Sequence, residues 1–335
     1  MKARHSSGPG ASLRRRSGRV ARVAVAACAA VASACALAWP TQPIRLVVPY
    51  GPGTGVDILA RQFAARLPAA LGQPGVVENV PGAAGTIGSE NVARAAPDGH
   101  TLLVQSLSFA MGRSLHKNVR YDPIADFAPI SIVAWSSYVL VVPATASSRT
   151  LGDLLAAAAA APGRLTYATP GVGTAHHVAT ELILQKANVT MLHVPFKTSG
   201  AAVNDILAGR VDTMFVPVGV ALPHVQSGRV LALATGSPKR LPQLPQVPTL
   251  AESGLDVGNL DLWYGVLAPS GTPAAVIDRL NQELARIAAA PGFAAALEAQ
   301  GIVPATSTPA AFGRLLVEER ARWTAVAERA GITGE

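Results

Sequence analysis

The chain is 335 residues long and carries 28 Lys/Arg against 20 Asp/Glu, a formal charge of +8 that would suit a nucleic acid or an anionic membrane. Seven of those cations (Lys2, Arg4, Arg14, Arg15, Arg16, Arg19 and Arg22) sit at the start with no acid among them, so from Trp39 onward the balance is 21 against 20. That near-neutrality removes the electrostatic case for either partner, and because Cys28 and Cys35 also precede Trp39, disulfides and thiol catalysis are excluded from the remainder.

Residues 1–38 read as a secretory signal peptide: a basic region, the apolar Ala-rich run Val23 to Ala38, and the small-residue site Ala36-Leu37-Ala38 ahead of Trp39. The run is too short and small-sided for a membrane span. Arg15-Arg16 resembles a twin-arginine signal, but Arg19 stands where an apolar residue is wanted, which favours the general secretory route; lipoprotein anchoring at Cys28 or Cys35 is the minor alternative, since each lacks the usual Leu. A later start codon is also open. The segment predicts export from the cytoplasm. The chain is half apolar and rich in Ala, Gly and Pro, the composition of packed α/β domains rather than disorder.

The first element, 44–48, is an apolar strand that stops at Pro49-Tyr50-Gly51-Pro52-Gly53-Thr54-Gly55 and gives way to a helix from Asp57 to about 71. A glycine turn between strand and helix exposes backbone amides at the positive end of the helix dipole, which suits a carboxylate or phosphate. No Gly-Lys-Ser/Thr follows and the glycine spacing does not fit a dinucleotide fingerprint, so nucleotide cofactors are not expected, and Asp57 reads as a cap. The pattern then repeats. Strand 75–80 leads to Pro81-Gly82-Ala83-Ala84-Gly85 and helix 89–95, and strand 101–105 leads to a serine-bearing turn, Ser106-Leu107-Ser108. Three such transitions predict a parallel sheet with its ligand site beyond the strand ends.

Strands come next at 130–134 and 138–142, then helix 151–161, strand 165–168, and a second glycine turn, Pro170-Gly171-Val172-Gly173-Thr174, opening helix 177–186. Strand 191–196 ends at Lys197, helix 201–208 precedes strands 211–216 and 230–234, and the chain returns through strand 262–269 to helices at 273–288, 293–299 and 310–330. Those last helices have no strands of their own and are expected to pack on the first domain. The prediction is an α/β protein of two sandwich lobes joined by crossing strands, residues 39–141 plus 263–335 and residues 142–262, with a cleft between them.

Trp39-Pro40, the loop from Pro49 to Asp57, Glu78-Asn79-x-Pro81-Gly82-x-x-Gly85, Pro97-Asp98-Gly99, Tyr121-Asp122-Pro123, Gly171-x-Gly173-Thr174-x-x-His177, His193-Val194-Pro195-Phe196-Lys197, Leu222-Pro223-His224 and Leu267-Ala268-Pro269-x-Gly271-Thr272-Pro273 form an ordered set. In that order they resemble the periplasmic solute receptors of tripartite tricarboxylate transporters, the Bug family. The resemblance spans essentially the whole chain after the signal segment. It implies a type II periplasmic binding-protein fold, the Venus flytrap, without catalysis, cofactor or metal. It further implies a small organic carboxylate as ligand, a permease of one large and one small subunit as partner, and a monomer. A receptor feeding a membrane kinase is the alternative with the same binding chemistry.

Carried onto this chain, the resemblance makes Tyr50 an aromatic against the ligand body. Gly53, Thr54 and Gly55 become the first carboxylate cradle, Ala84 and Gly85 a neighbouring backbone contact, and Ser106 and Ser108 the third loop of that lobe. Gly173 and Thr174 would grip the far end of the ligand, Thr174 by hydroxyl and amide. His177 reads as a packing or supporting residue ahead of a ligand contact, and Lys197 as a source of charge that is as often solvated. Where family members commonly carry Asp-Asn after Met-Phe, this chain has Val216-Pro217 after Met214-Phe215; Val172 replaces a frequent Asn, and Thr54 a usual Gly. These departures predict a more apolar pocket that prefers an acid lacking an amino group.

A hydrolase reading of Ser106 or Ser108 with His177 fails for want of a Gly-x-Ser-x-Gly elbow. His176, His177, His193 and His224 do not have metal-ligand spacing.

Overall fold

The computed structural model describes residues 39–115, 119–298 and 300–332, so the signal-peptide reading, with Cys28 and Cys35, lies outside the described residues. β1 (Ile44–Val48) is buried except at Arg45 and runs over the Pro49–Gly53 turn into α1 (Gly55–Ala64), capped by Thr54. α2 (Leu67–Leu71) stops at Gly72, whose φ of 74° only glycine adopts without cost, and β2 (Gly75–Asn79) comes after it. A turn at Ala83–Gly85 opens α3 (Thr86–Ala93), then β3 (Thr101–Ser106) leads into α4 (Ser108–Leu115). Only Ser137 separates β4 (Phe127–Ser136) from β5 (Tyr138–Pro143).

The chain continues with α5 (Leu151–Ala160), β6 (Thr166–Thr169), α6 (Ala175–Ala187), β7 (Leu192–Pro195), α7 (Ser199–Leu207), β8 (Thr213–Pro217), α8 (Val218–Gln226) and β9 (Val230–Thr235). It returns through β10 (Leu262–Pro269) and closes with α9 (Ala274–Ala288), α10 (Phe293–Glu298), β11 (Ile302–Pro304) and α11 (Pro309–Arg329).

These strands make two sheets, of order β11-β4-β10-β3-β1-β2 and β7-β6-β8-β5-β9. The expected parallel pairing holds for β2-β1-β3 and for β7-β6-β8. In each sheet, however, the strand arriving from the other one is inserted antiparallel: β10 between β3 and β4, and β5 between β8 and β9. Apolar periodicity reports burial and not direction, so this was invisible in the residues. The crossing falls at Ser137, ahead of the expected boundary after residue 141, because β4 and β5 are apolar on both sides of it.

Three further elements differ from expectation. The Ser106–Ser108 stretch starts a helix and not merely a turn, α8 forms despite Pro223, and β11 supplies an edge strand between the last helices, pairing with β4. α9 and α11 pack on β4 as anticipated, but α11 also reaches α6, where Gln185 Nε2 donates to the Val326 carbonyl at 3.2 Å.

The first sheet is packed with aromatics: Phe63 of α1 meets Phe293 at 4.9 Å between centroids, and Trp263 of β10 meets Phe312 of α11 at 5.2 Å. The second has an aliphatic face, Val139, Val141, Met214 and Val216, covered by Ala202 and Ile206 of α7 and Ala221 of α8. Each such side chain contributes about 1.5–3 kcal/mol when fully buried. Both sheets belong to one compact unit, Gln42–Glu335. The helix α8 meets the loop between α10 and β11 where a Cβ on Gly219 would stand 2.0 Å from the Gln300 carbonyl oxygen, an approach that only glycine permits. At the crossing, Ser137 Oγ donates to Asp261 Oδ1 at 2.6 Å and Ser237 Oγ to Oδ2 at 3.4 Å.

Candidate functional site

The two glycine turns have the same construction. Thr54 and Thr174 are N-caps with φ/ψ of −74°/157° and −74°/160°, each preceded by a glycine in the left-handed region, Gly53 at 81° and Gly173 at 70°. The Thr54 hydroxyl donates to the Gly51 carbonyl and accepts from Asp57 N–H, while the Thr174 hydroxyl donates to Gly171 and accepts from His177 N–H. The third helical residue then closes the turn: Asp57 Oδ2 accepts from Gly53 N–H at 3.0 Å, and His177 Nδ1 from Gly173 N–H at 3.2 Å.

This assigns the turn residues more finely than their types did. Gly53 and Gly173 provide the positive φ, but their amides are engaged within the turns. The Thr174 hydroxyl proton is likewise committed to Gly171, so the hydroxyl grip expected of Thr174 is replaced by a capping role. The amides that lack an intrahelical acceptor belong to the first helical positions, Gly55 and Val56 in one turn and Ala175 and His176 in the other.

Electrically the turns diverge. Asp57 is buried, and hydrogen bonds from Arg61, Gly53 and Asn79 hold its carboxyl below the usual range against the opposing effect of burial. His177 instead stacks on His193 with centroids 3.8 Å apart, and Tyr167 stacks on His193 at 4.9 Å. Burial, with the neighbouring His193, lowers His177 to about 3, and burial lowers His193 to about 4, so both are neutral near pH 7. His193 Nε2 is bonded to Thr169 Oγ1, which also accepts from Gly171 N–H.

In the first lobe the Tyr50 hydroxyl is hydrogen-bonded to Gln105 Oε1 at 2.8 Å and Ser108 Oγ at 2.9 Å, with the Ser106 hydroxyl also beside it. Gly85 lies against this group, a Cβ there falling 3.2 Å from Gln105 Nε2 and from the Tyr50 ring. Its amide donates to Gly82 and its carbonyl accepts from Ser89 Oγ. From Gly82 through Ala83 and Ala84 to Gly85, φ is positive at four successive residues. For the two alanines this costs about 1–2 kcal/mol each, strain of the kind concentrated at binding turns.

Tyr264 links this group to the junction: a Cβ on Gly55 would lie 2.4 Å from its hydroxyl oxygen. Tyr138, across the crossing, is raised well above the ordinary tyrosine range by burial and further by the phenols of Tyr264 and Tyr50. Its ring meets His176, two residues after Thr174, at 5.1 Å. Gly55 thus lies against Tyr264 and His176 against Tyr138, and the two phenols are near enough for Tyr264 to raise Tyr138.

Of the other expected residues, Lys197 is exposed. Val216 is 1% exposed and belongs to the aliphatic core behind the second sheet, a correction to its expected place at the ligand. Its alternation with Phe215 puts it on the covered face. Gln105, Tyr138 and Tyr264 were not among the expected residues, since residues inside apolar strands read as core, and His176 was weighed only as a metal ligand. Two open hollows of about 610 and 640 Å³ contain no residue of either turn, one lined by Arg149 and Glu252, the other by Glu181 and Arg329. Among the described residues there is no cluster of His, Cys, Asp or Glu suited to a metal, and no helix long and apolar enough to cross a membrane.

Residues 59–332 match the model of the tripartite tricarboxylate transporter family receptor. The chain is 42% identical over 287 residues to the UPF0065 protein in the tcbD-tcbE intergenic region of Pseudomonas sp. strain P51, covering 85% of each. Among solved structures it is similar to the periplasmic binding protein BugD, with 31% identity, a TM-score of 0.80 and coverage of 89% of this chain and all of that one. It is also similar to R. palustris Rpa4515 with adipate, with 32% identity, a TM-score of 0.82 and coverage of 88% and 99%. The architecture is the two-lobed type II periplasmic binding-protein fold, and the family and its structural neighbours are solute-binding receptors, not enzymes. By sequence and by fold alike, the chain belongs to the tripartite tricarboxylate transporter receptor family.

Proposed function

We propose that this protein is a periplasmic receptor that closes its two lobes on a small organic carboxylate and presents it to a membrane permease of the tripartite tricarboxylate type. The observation that supports the reading is the pair of matching turns, each with helix-start amides that lack intrahelical acceptors and each beside a junction tyrosine, Tyr264 at Gly55 and Tyr138 at His176. Amide dipoles at a helix start stabilise an anion without a fixed cation. The adipate in Rpa4515 supports a carboxylate as the class. Residues 1–38 serve as the export signal, and the receptor works as a monomer.

The neutral His177, the apolar Val172 and the core position of Val216 leave an amino substituent without an acidic partner, so the preferred acid lacks one. Because the ligand touches both lobes only when they are closed, its binding shifts the population toward the closed form.

A thermal-shift screen over mono-, di- and tricarboxylates tests the reading. A ligand present at one hundred times its Kd adds about 2.7 kcal/mol of apparent stability, which a melting curve resolves, and a flat response across all three classes would refute it. Calorimetry with aspartate and glutamate tests the preference, which tight binding of either would overturn.

A further inference from the structure

Of the buried polar atoms near the junction without a partner in the protein, which include Ser136 Oγ and Thr235 Oγ1, two lie on rings that touch each other. Tyr138, the first residue of β5, is 0% exposed and its Oη makes no hydrogen bond; His176, at the second position of α6, has a buried Nε2 in the same condition. Their rings meet edge to face at 80° with centroids 5.1 Å apart, and Phe215 stacks on Tyr138 at 4.9 Å. A buried donor or acceptor left unsatisfied costs about 1–3 kcal/mol. Two of them on rings in contact, next to the second glycine turn and within the field of Tyr264 and Tyr50 from the other lobe, mark a place built for a third group.

We propose that Tyr138 Oη and His176 Nε2 together receive an uncharged oxygen substituent, a hydroxyl or keto group, on the carboxylate ligand. The inference rests on the carboxylate reading above and names the substrate class more narrowly.

Charge decides between the candidate substituents. Burial holds His176 neutral, lowering it to about 4, and Tyr138 stays protonated. A second carboxylate placed on this pair would be buried without a cation, a situation whose desolvation cost is several kcal/mol. An ammonium would fare no better, because the carboxylate of the junction, Asp261, is tied to Ser137 and Ser237. A neutral oxygen avoids both penalties. A phenol can donate or accept, and a neutral imidazole nitrogen does either according to tautomer, so the pair serves an alcohol by giving and taking one proton each, or a ketone by donating twice.

Calorimetric titration of the purified protein with paired acids of four to six carbons, monocarboxylic and dicarboxylic, each with and without one hydroxyl, provides the test. In the wild type the hydroxylated member of at least one pair should bind about tenfold or more tightly, equivalent to roughly 1.4 kcal/mol. In Tyr138→Phe and in His176→Phe that ratio should collapse toward one. Ligand-free Tyr138→Phe should melt no lower than the wild type, since the hydroxyl removed had no partner. Equal binding within every pair, persistence of the preference in both variants, or a clear loss of stability in ligand-free Tyr138→Phe would each overturn the assignment. Acids that bind without preference would sink this inference alone, whereas no binding by any acid would remove the carboxylate reading along with it.

Discussion

The turn at Gly51–Asp57 and the turn at Gly171–His177 share their backbone to within a few degrees at the capping threonine, yet a carboxylate closes one and an imidazole the other. What the backbone demands at the third helical position is an acceptor for the glycine amide, and its charge is set by what surrounds it. One turn beyond Asp57 stands Arg61, and Asn79 donates from β2, so a negative charge is balanced there. One turn beyond His177 stands Glu181, hydrogen-bonded to Tyr167, and the face is completed by His193. A neutral acceptor is the one that this second setting tolerates.

The largest effect should come from making the second turn copy the first. His177→Asp keeps an acceptor for Gly173 but buries a carboxylate near Glu181 without a cation, and should destabilise by roughly 3–5 kcal/mol, as read from urea unfolding. A loss under 1 kcal/mol would mean that the charge of the closing residue is immaterial. Asp57→Ala leaves Gly53 N–H and Arg61 Nε without their acceptor and takes one of two from Asn79 Nδ2, and should cost about 2–3 kcal/mol. Smaller and nearly equal losses, about 1 kcal/mol each, are expected for Thr54→Ala and Thr174→Ala. Because the two caps share no partner, the double variant should show the sum; strong coupling between them would contradict their independence.

The smallest effect should be a drift with pH that separates the lobes. His176, His177 and His193 all have folded pKa values below 6.5, so the unfolded chain binds protons first and stability falls as pH drops from about 6.5 toward 4. Glu181, raised by burial, opposes this trend near its own titration. Asp57 is lowered, so its contribution is full above the ordinary carboxylate range and is lost as the pH falls through that range toward the folded value. Hydrogen exchange, corrected for intrinsic rates, should therefore show α6 losing protection between pH 7 and 5 before α1 does; the reverse order would break the comparison.

Much of this was readable from residues. Ile44–Val48, Thr101–Ser106 and Leu262–Pro269 are apolar runs bounded by turn residues, and the two Gly-x-Gly-Thr turns announced themselves by glycines at positive φ before a helix. α8 was hidden by Pro223 and Gly219, and β11 by its length of three residues. The antiparallel insertion of β5 and β10 was hidden because a strand buried on both faces reads alike in either direction. At the site, residue types could place Thr174 at the turn but not reveal that its hydroxyl proton was already taken by Gly171, which depends on geometry at the scale of one bond. Tyr138 looks like any core aromatic until its burial and its missing partner are known together.

Asp261 draws the two crossings to a single point. One passes between the sheets with Ser137 alone as its link, the other over residues 236–261, and both end on the oxygens of this carboxylate. Sliding one sheet past the other would break both serine contacts at once. The carboxylate therefore acts as a clasp that fixes the two crossings to each other at the point where the chain passes between the sheets.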